Sequence, residues 1–418
     1  MLMLQPNWID DIIDECEDVE TPREWIYWSL VCALAATAAN QYHLKAFGGK
    51  VTYYPNIYAI LMGLSGLGKA FPVKLSKNLV ERADVTRVIY GRSSIQAIVK
   101  DASQTMTREG KEMILDSRCY IVNGELSTAI IADPDSLTIL TDLYDPHEIW
   151  INNLKGDGKE KLKNTATTAL FGSSPSHFYD KIPQVNIEGG YIGRNIIISA
   201  EKRYKDLDMF GEDENDASDF PYNKYVPHLI NIGQMGGRMI PDIEAKKMLN
   251  EFRHQWRKDS TDVDDKTGFV NRVPDHIIKT AMCLCLADYG TYKTCIINSS
   301  HMLEAIEKIV PLVHTSKTIA SGTGMDPLSK QTKMVVEFLL LAPDNQLMRK
   351  QLLTKGYGNY DTDVLDKILS NLEEINWIRK FRIPAGKNSD IKVVLQGAPL
   401  EEYLKHKEAR MKKRVNEK

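Results

Sequence analysis

The chain has 418 residues, of which 43% are hydrophobic and 26% are charged, and its formal net charge is −3. This composition excludes a mainly disordered chain and allows two or three globular domains. Such a small net charge gives no general attraction for nucleic acid, so any contact with DNA must come from local basic patches.

The first 41 residues are predicted to be helical. Apolar residues recur at helical spacing through residues 8–40, and Thr21-Pro22 predicts a helix N-cap followed by a first-turn proline. We interpret residues 1–41 as a helical leader or assembly collar.

No membrane contact is expected, and the predicted location is the cytoplasm. The apolar stretch 31–39 is rich in alanine, too short to span a bilayer and not preceded by a basic segment. The six cysteines form no CxxC pair, which favours a reducing compartment and no structural zinc.

Residues 42–240 are predicted to form an α/β core with a largely parallel sheet. A strand, a Gly48-Gly49 turn and a second strand open this region, and the apolar run 57–62 predicts a further strand. Strand and helix patterns then alternate up to residue 200, which is typical of parallel α/β domains. The acidic stretch 206–219 is interpreted as a surface loop at the edge of the core.

A glycine-rich segment follows the strand at 57–62 and fits the phosphate-loop pattern G-x-x-x-x-G-K. In this pattern the backbone N–H groups surround a triphosphate and the lysine reaches its β and γ oxygens. The alternative is a tight strand-to-helix turn without a ligand. The predicted ATP-binding residues here are Gly63, Ser65, Gly66, Leu67, Gly68, Lys69 and Ala70, with Lys69 also assigned a catalytic role.

An acidic motif is expected at the end of a second strand, and Asn123-Gly124-Glu125 follows the apolar run 119–122. Glu125 is the candidate general base, and Asn123 stands where an aspartate usually helps to hold Mg²⁺. Ala70 likewise lacks the hydroxyl that binds Mg²⁺. ATP with Mg²⁺ is the expected cofactor pair, but hydrolysis should be slow. The alternative is a strand that ends in a solvated glutamate.

Residues 149–163 are predicted to form a β-hairpin, because a Gly156-Asp157-Gly158 tip separates two extended arms. Its lysines give it a basic character, although runs of charge are often only a solvated surface.

The rest of the chain is predicted to be a helical lid (residues 241–320), a winged-helix domain (residues 325–397) and a basic tail (residues 398–418). The winged-helix pattern consists of three helices closed by a β-hairpin. Its third helix mixes acidic and basic residues, so the domain could contact phosphate or dock a protein equally well.

Together, these motifs resemble the hexameric replicative-helicase region of phage and plasmid primase-polymerases, a superfamily 3-like, AAA+-related group that includes the deep-sea-vent phage type. The resemblance covers most of the chain and implies a homohexameric ring around single-stranded DNA, with a polymerase or primase domain in the same polypeptide. It implies that Arg194 enters the active site of a neighbouring subunit, the alternative being an arginine in a surface salt bridge. It also implies that Ser173 or Ser174 is a polar sensor and that Arg272 is a second sensor. The hairpin would contact DNA phosphates through Lys155, Lys159, Lys161 and Lys163.

The sequence therefore predicts a helicase or translocase module driven by ATP. Two alternatives remain open at this point. One is a degenerate ATP-binding ring that clamps DNA or organises a polymerase, and the other is a replication initiator that binds duplex DNA through the winged helix.

Overall fold

The structure is a computed structural model, and residues 7–91, 93–104, 106–109, 112–126, 135–154, 158–182, 190–207, 219–260, 265, 267–316, 327–385, 388–397 and 399–400 are described. The chain forms two compact units, residues 1–324 and residues 325–418.

The first unit contains both helices and strands. Its helices are α1 (Trp8–Glu15), α2 (Arg23–Ala38), α3 (Ala70–Ala83), α4 (Ile95–Ser103), α5 (Ser136–Leu143), α6 (Pro175–Lys181), α7 (Tyr191–Arg194), α8 (Tyr222–Gln234), α9 (Ile243–Asp259), α10 (Phe269–Ala287) and α11 (Ser299–Ile309). Its strands are β1 (Tyr42–Ala46), β2 (Val51–Tyr53), β3 (Tyr58–Gly63), β4 (Arg87–Tyr90), β5 (Met106–Glu109), β6 (Glu112–Leu115), β7 (Cys119–Asn123), β8 (Ile149–Leu154), β9 (Gly158–Lys163), β10 (Thr167–Ser173), β11 (Asn195–Ala200), β12 (Gly237–Arg238), β13 (Ile240–Pro241) and β14 (Ile296–Ile297).

A five-stranded parallel sheet forms the centre of this unit, in the order β11-β3-β10-β7-β4. The predicted α/β class with a parallel sheet is confirmed. Because all five strands run the same way, their carboxyl ends meet at one edge, where α/β proteins usually bind ligands. Smaller pairings surround the sheet, including the antiparallel hairpins β1–β2, β5–β6 and β8–β9.

Both faces of the central sheet are covered. Alternate side chains of β3 point to opposite sides, so Ala59 and Leu61 join one apolar cluster, whereas Ile60 and Met62 join another. Strands buried on both faces read as continuous apolar runs, which is why the sequence pattern located this strand so well.

Helix α2 belongs to the core and does not form a separate leader. All but its first two residues are buried, and it packs against α3, α8, α10 and the central sheet. The predicted collar at residues 1–41 is therefore wrong in its packing, although its helices are present. Helix α10, from the predicted lid, packs within the same compact unit.

The described residues of the second unit include three helices and a three-stranded antiparallel sheet. These are α12 (Pro327–Leu340), α13 (Arg349–Lys355), α14 (Thr362–Glu374), β15 (Gln346–Met348), β16 (Ile378–Ala385) and β17 (Asn388–Leu395). The sheet order is β15-β17-β16. The unit has its own apolar core, in which helix residues such as Leu365 and Leu369 pack with Val393 and Leu395 of the sheet.

All six cysteines are free and buried. Burial raises the pKa of the Cys16, Cys119 and Cys285 thiols to about 12.

Candidate functional site

The glycine-rich loop joins the buried strand β3 to helix α3 at the carboxyl edge of the central sheet. Gly66 and Gly68 have φ values of +88° and +85°. Residues other than glycine adopt this left-handed backbone conformation only with strain. The loop conformation therefore requires glycine at both positions. Ser65 is exposed at the outside of the turn, whereas Leu67 is half-buried.

Two glycines of the loop are also held by close packing. A Cβ atom at Gly63 would lie 2.8 Å from both the Trp25 ring and the Ala200 carbonyl oxygen. A Cβ atom at Gly68 would lie 2.6 Å from the Thr21 hydroxyl oxygen. The start of α2 and the end of β11 therefore fix the position of the loop.

Thr21 contributes to this loop and does not cap a helix as predicted. The N-cap of α2 is Pro22, and the Thr21 hydroxyl donates to the Gly68 carbonyl at 3.2 Å.

The Lys69 side chain folds back over the loop. Its Nζ donates to the carbonyl oxygens of Gly63 at 2.6 Å and Leu64 at 2.9 Å. Burial lowers the pKa of Lys69, while the nearby Glu125 carboxylate opposes that shift. An anion entering the loop would offer this ammonium group a stronger charged acceptor than the two carbonyls.

The Asn123-Gly124-Glu125 turn lies at the same edge of the sheet. The Asn123 amide donates to the Gly91 carbonyl at 3.0 Å, and its Oδ1 accepts from the Glu125 N–H at 3.3 Å. The Glu125 side chain is exposed. The Glu125 carboxylate is therefore accessible to water. It also lies close enough to Lys69 to raise the pKa of that lysine.

Close contact between two glycines positions this turn. A Cβ atom at Gly172 in β10 would lie 2.1 Å from the Gly124 carbonyl oxygen. Directly after the turn, the Leu126 N–H donates to the Gly172 carbonyl at 2.6 Å. The turn that carries Glu125 is therefore held in contact with β10, the strand that lies between β7 and β3.

Ser173 ends β10 and lies opposite Met62 of β3 in the register. It is buried, and its hydroxyl donates to the Ser174 carbonyl at 3.2 Å. The structure thus brings Ser173 to the edge that carries the loop and Glu125.

Arg194 lies at the opposite edge of the sheet from the loop. It directly precedes β11, whose first residue pairs with Tyr58 and whose last residue pairs with Gly63. A strand of this length separates the two edges by about 20 Å. Arg194 forms an ion pair with Asp145 at 3.3 Å and donates to the Gly190 carbonyl at 3.3 Å. It cannot reach the phosphate loop of its own chain.

Arg272 lies in the first turn of α10, beside Arg194. A Cβ atom at Gly190 would lie 3.1 Å from Arg194 Nη1 and 3.7 Å from Arg272 Nη2. The Nε atoms of both arginines are buried and have no hydrogen-bond partner among the described residues. Arg272 therefore lies, like Arg194, at the opposite edge of the sheet from the phosphate loop of its own chain.

A buried lysine, which no motif had indicated, lies near Arg194. Lys279 Nζ donates to the carbonyl and the side-chain oxygen of Asn56, at 3.2 and 2.8 Å, and lies 4.0 Å from the centre of the Tyr144 ring. Burial lowers the pKa of Lys279 to about 8. Its neighbours Asp145 and Asp275 oppose that shift.

The arginine that does lie beside the phosphate loop in the same chain is Arg203. It donates to the Gly66 carbonyl at 3.3 Å and forms an ion pair with Glu20. Glu20 also accepts from the Leu207 N–H at 3.1 Å. Sequence reasoning missed this residue because it follows β11 without any motif around it.

The predicted hairpin at residues 149–163 is confirmed as β8 and β9. Leu162 is buried, and Trp150 packs against the apolar cluster on one face of the central sheet. Lys161 and Lys163 are exposed. They lie opposite Ile151 and Ile149, which are 50% and 47% exposed.

The hairpin therefore has an anchored face and an open basic face. Lys159 is two residues before Lys161 on β9, so alternation along the strand assigns it to the open face. Its side chain lies outside the described part of the structure. Lys155 lies outside the described residues altogether.

Two further features are absent among the residues that the structure describes. No group of three or more His, Cys, Asp or Glu side chains in those ranges is placed to hold a metal ion. None of the helices described there combines the length and apolar character needed to cross a bilayer.

The chain matches no protein-family model, and no curated protein matches it in sequence.

Proposed function

We propose that the chain is an ATP-binding, ring-forming helicase or translocase module that acts on single-stranded DNA during phage or plasmid replication. The observation that carries the proposal is the glycine-rich loop with Lys69, which lies at the carboxyl edge of a parallel sheet beside the exposed Glu125 carboxylate. A primase or polymerase domain of the same polypeptide would use the resulting single strand.

In this proposal the triphosphate occupies the loop and takes over the Nζ of Lys69 from the two loop carbonyls. Glu125 accepts a proton from water, whose oxygen attacks the γ-phosphorus. The bond from the γ-phosphorus to its bridging oxygen breaks, and ADP leaves with that electron pair.

The residues present do not fit a magnesium ion held by the protein. Ala70 presents a methyl group where the motif has a hydroxyl, and the Asn123 side chain is engaged with Gly91 and Glu125. Glu125 is then the one carboxylate of the motif, and the proposal uses it as the base for the attacking water, so the motif has no further carboxylate for the metal.

Arg194 is proposed to act on the nucleotide of a neighbouring subunit. It lies about 20 Å from its own loop, at the edge of the sheet, and its buried Nε has no partner among the described residues. In a ring, the edge that carries Arg194 in one subunit would face the phosphate loop of the adjacent subunit. The guanidinium would there stabilise the charge that develops on the transferred phosphoryl group. Arg272 would accompany it on the same side of that interface.

DNA contact is proposed for the open face of the β8–β9 hairpin. Lys161 and Lys163 are exposed together with Ile149 and Ile151, so the face offers both charge for phosphates and apolar surface for sugars or bases. Such contacts are independent of sequence, as translocation requires.

A second candidate function is a ring that binds ATP and clamps DNA without appreciable hydrolysis. The observations that favour it are the missing hydroxyl at Ala70 and the engaged Asn123 amide. Both remove groups that normally hold the metal needed for fast phosphoryl transfer.

The initiator alternative is not proposed, because the exposed face of α14 is acidic. Asp363, Asp366, Glu373 and Glu374 are exposed there beside the single cation of the helix, Lys367, and Asp366 is paired with Arg349 and Glu373 with Lys380. The two remaining carboxylates, Asp363 and Glu374, would be repelled by the phosphates that line a DNA groove.

The deciding experiment compares the wild type with Lys69→Ala and with the control Lys74→Ala, which removes an exposed lysine on α3. Thermal unfolding with and without ATP measures binding, and phosphate release with and without oligo-dT measures turnover. The motor predicts that ATP raises the melting temperature, that DNA stimulates phosphate release, and that Lys69→Ala alone removes both effects. Stabilisation by ATP without release would favour the clamp. A wild type that ATP does not stabilise would contradict both functions.

A further inference from the structure

The sheet of the second unit has one face in the core and one face open. Leu347, Val393 and Leu395 are buried against the helices of this unit. Side chains alternate along a strand, so their neighbours in sequence point to the other side. That other side we call the outer sheet face. It carries Gln346, Met348, Arg379, Phe381, Lys392 and Val394 across all three strands, and Ile383 and Asp390 beyond them on β16 and β17.

The register places these side chains in two rows across the three strands. Met348, Lys392 and Phe381 form one row, because Lys392 pairs with both of the others. Gln346, Val394 and Arg379 form the next row in the same way. Phe381 is therefore directly beside Lys392 and two residues from Arg379 on the same strand.

Phe381 is an exposed aromatic ring on the outer sheet face. Its exposed fraction is 48%, and Arg379 is also exposed. A phenylalanine in this position gains nothing from the core of its own unit, since the helices cover the opposite face of the sheet. The ring is free to stack on a planar partner.

The two cations of the outer sheet face are not neutralised within the described part of the unit. Neither Arg379 nor Lys392 forms an ion pair with a described residue, whereas Arg349 is paired with Asp366 at 2.6 Å. The acidic side chain that the described residues place on this face, Asp390, lies two residues from Lys392 on the same strand. Two cations and one carboxylate therefore lie around Phe381, which leaves a net positive charge there.

We propose that the outer sheet face binds single-stranded nucleic acid, with a base stacked on Phe381 and phosphates held by Arg379 and Lys392. Unpaired bases stack on exposed aromatic rings of sheet surfaces, and this contact tolerates any base. The exposed Phe381 ring favours unpaired bases over duplex, because each base within a duplex is already stacked on its neighbours. This site is separate from the hairpin of the first unit and does not depend on ATP binding.

The first test is cross-linking of the full chain to oligo-dT that contains 5-iododeoxyuridine, followed by mass spectrometry of the peptides. The expected result is a cross-link on the peptide that contains Phe381, and its yield should fall in Phe381→Ala and persist in Phe381→Trp. If DNA cross-links the first unit but never this peptide, the proposal is overturned while the proposed function of the hairpin survives.

The second test measures the affinity of full-length variants for fluorescent oligo-dT. Phe381→Ala should weaken binding about tenfold, and Arg379→Ala and Lys392→Ala should each reduce the salt dependence. The matched control is Tyr357→Ala, which removes another aromatic ring of the same unit that is 89% exposed but lies off the sheet. Equal effects of Phe381→Ala and Tyr357→Ala, or an effect of Phe381→Ala on assembly state without one on DNA binding, would contradict the assignment.

Discussion

His276 is a buried histidine that makes the stability of the first unit sensitive to acid. Burial lowers its pKa to about 4, and its Nε2 lies 2.9 Å from the Gly193 carbonyl oxygen. In the unfolded chain the pKa of this histidine has its ordinary value of 6.5. The unfolded state therefore gains a proton between these two values while the folded state does not, so the free energy of unfolding falls as the pH drops from 6.5 to about 4.

We expect a loss of up to about 3 kcal/mol from this residue across that range. The variant His276→Gln should be less stable near neutral pH but should show a shallower pH dependence, measured by urea unfolding at several pH values. His254→Gln, which changes an exposed histidine on α9, should leave the slope as in the wild type. A slope unchanged by His276→Gln would show that other groups cause the acid sensitivity.

Gly172 and Gly124 offer a matched pair of substitutions at the candidate site. An added Cβ at Gly172 would meet the Gly124 carbonyl oxygen at 2.1 Å, whereas one at Gly124 has no atom within 4 Å. We expect Gly172→Ala to lower the free energy of unfolding by about 1–3 kcal/mol and to displace Glu125, and Gly124→Ala to cost less than about 0.5 kcal/mol. Denaturant titration measures the first effect. Equal losses in the two variants would mean that the close approach is not what holds the turn.

Single residues differed in how well the sequence predicted them. The loop glycines follow a fixed pattern in which backbone conformation dictates residue type, so their positions were predictable. Arg203 and Thr21 reach the loop from distant parts of the chain. No local pattern indicates such contacts, because they depend on how α2 and β11 pack beside β3.

The β8–β9 hairpin is the element whose charges can be tested directly. Replacing Lys161 and Lys163 with alanine should weaken binding of single-stranded DNA and lower the magnitude of the slope of log K against log salt by about 1.4, because each lost phosphate contact on a single strand accounts for about 0.7. The matched control removes two exposed lysines of α9, Lys246 and Lys247. Equal changes in the two double variants would indicate a general charge effect and no hairpin contact.

Elements with strong periodicity were predicted well, and short ones were not. Strand β3 and the β8–β9 hairpin lie within a residue or so of their predicted bounds. Strand β15, with three residues, was missed because it is too short to show an alternating pattern. The role of α2 was misjudged for another reason, since its residues are apolar on every side and a helix of that kind belongs in a core.

The assembly of whole molecules is tested by mixing two inactive variants. Lys69→Ala lacks the loop cation and Arg194→Ala lacks the guanidinium, so neither should hydrolyse ATP by itself. If Arg194 acts across a subunit interface, random mixing of equal amounts should restore about a quarter of the sites, as measured by phosphate release. Activity that does not return on mixing, although size-exclusion chromatography shows mixed assemblies, would contradict a shared site.

A consequence for labelling follows from the cysteines. All six lie inside the folded chain, and burial raises the pKa of the Cys16 thiol to about 12, so almost none of it is in the reactive thiolate form at neutral pH. The native protein should therefore not react with maleimide dyes, which should attach only to a cysteine introduced on its surface. Fluorophores placed in this way on the hairpin and on the second unit could follow their separation on single molecules, with every natural cysteine left in place.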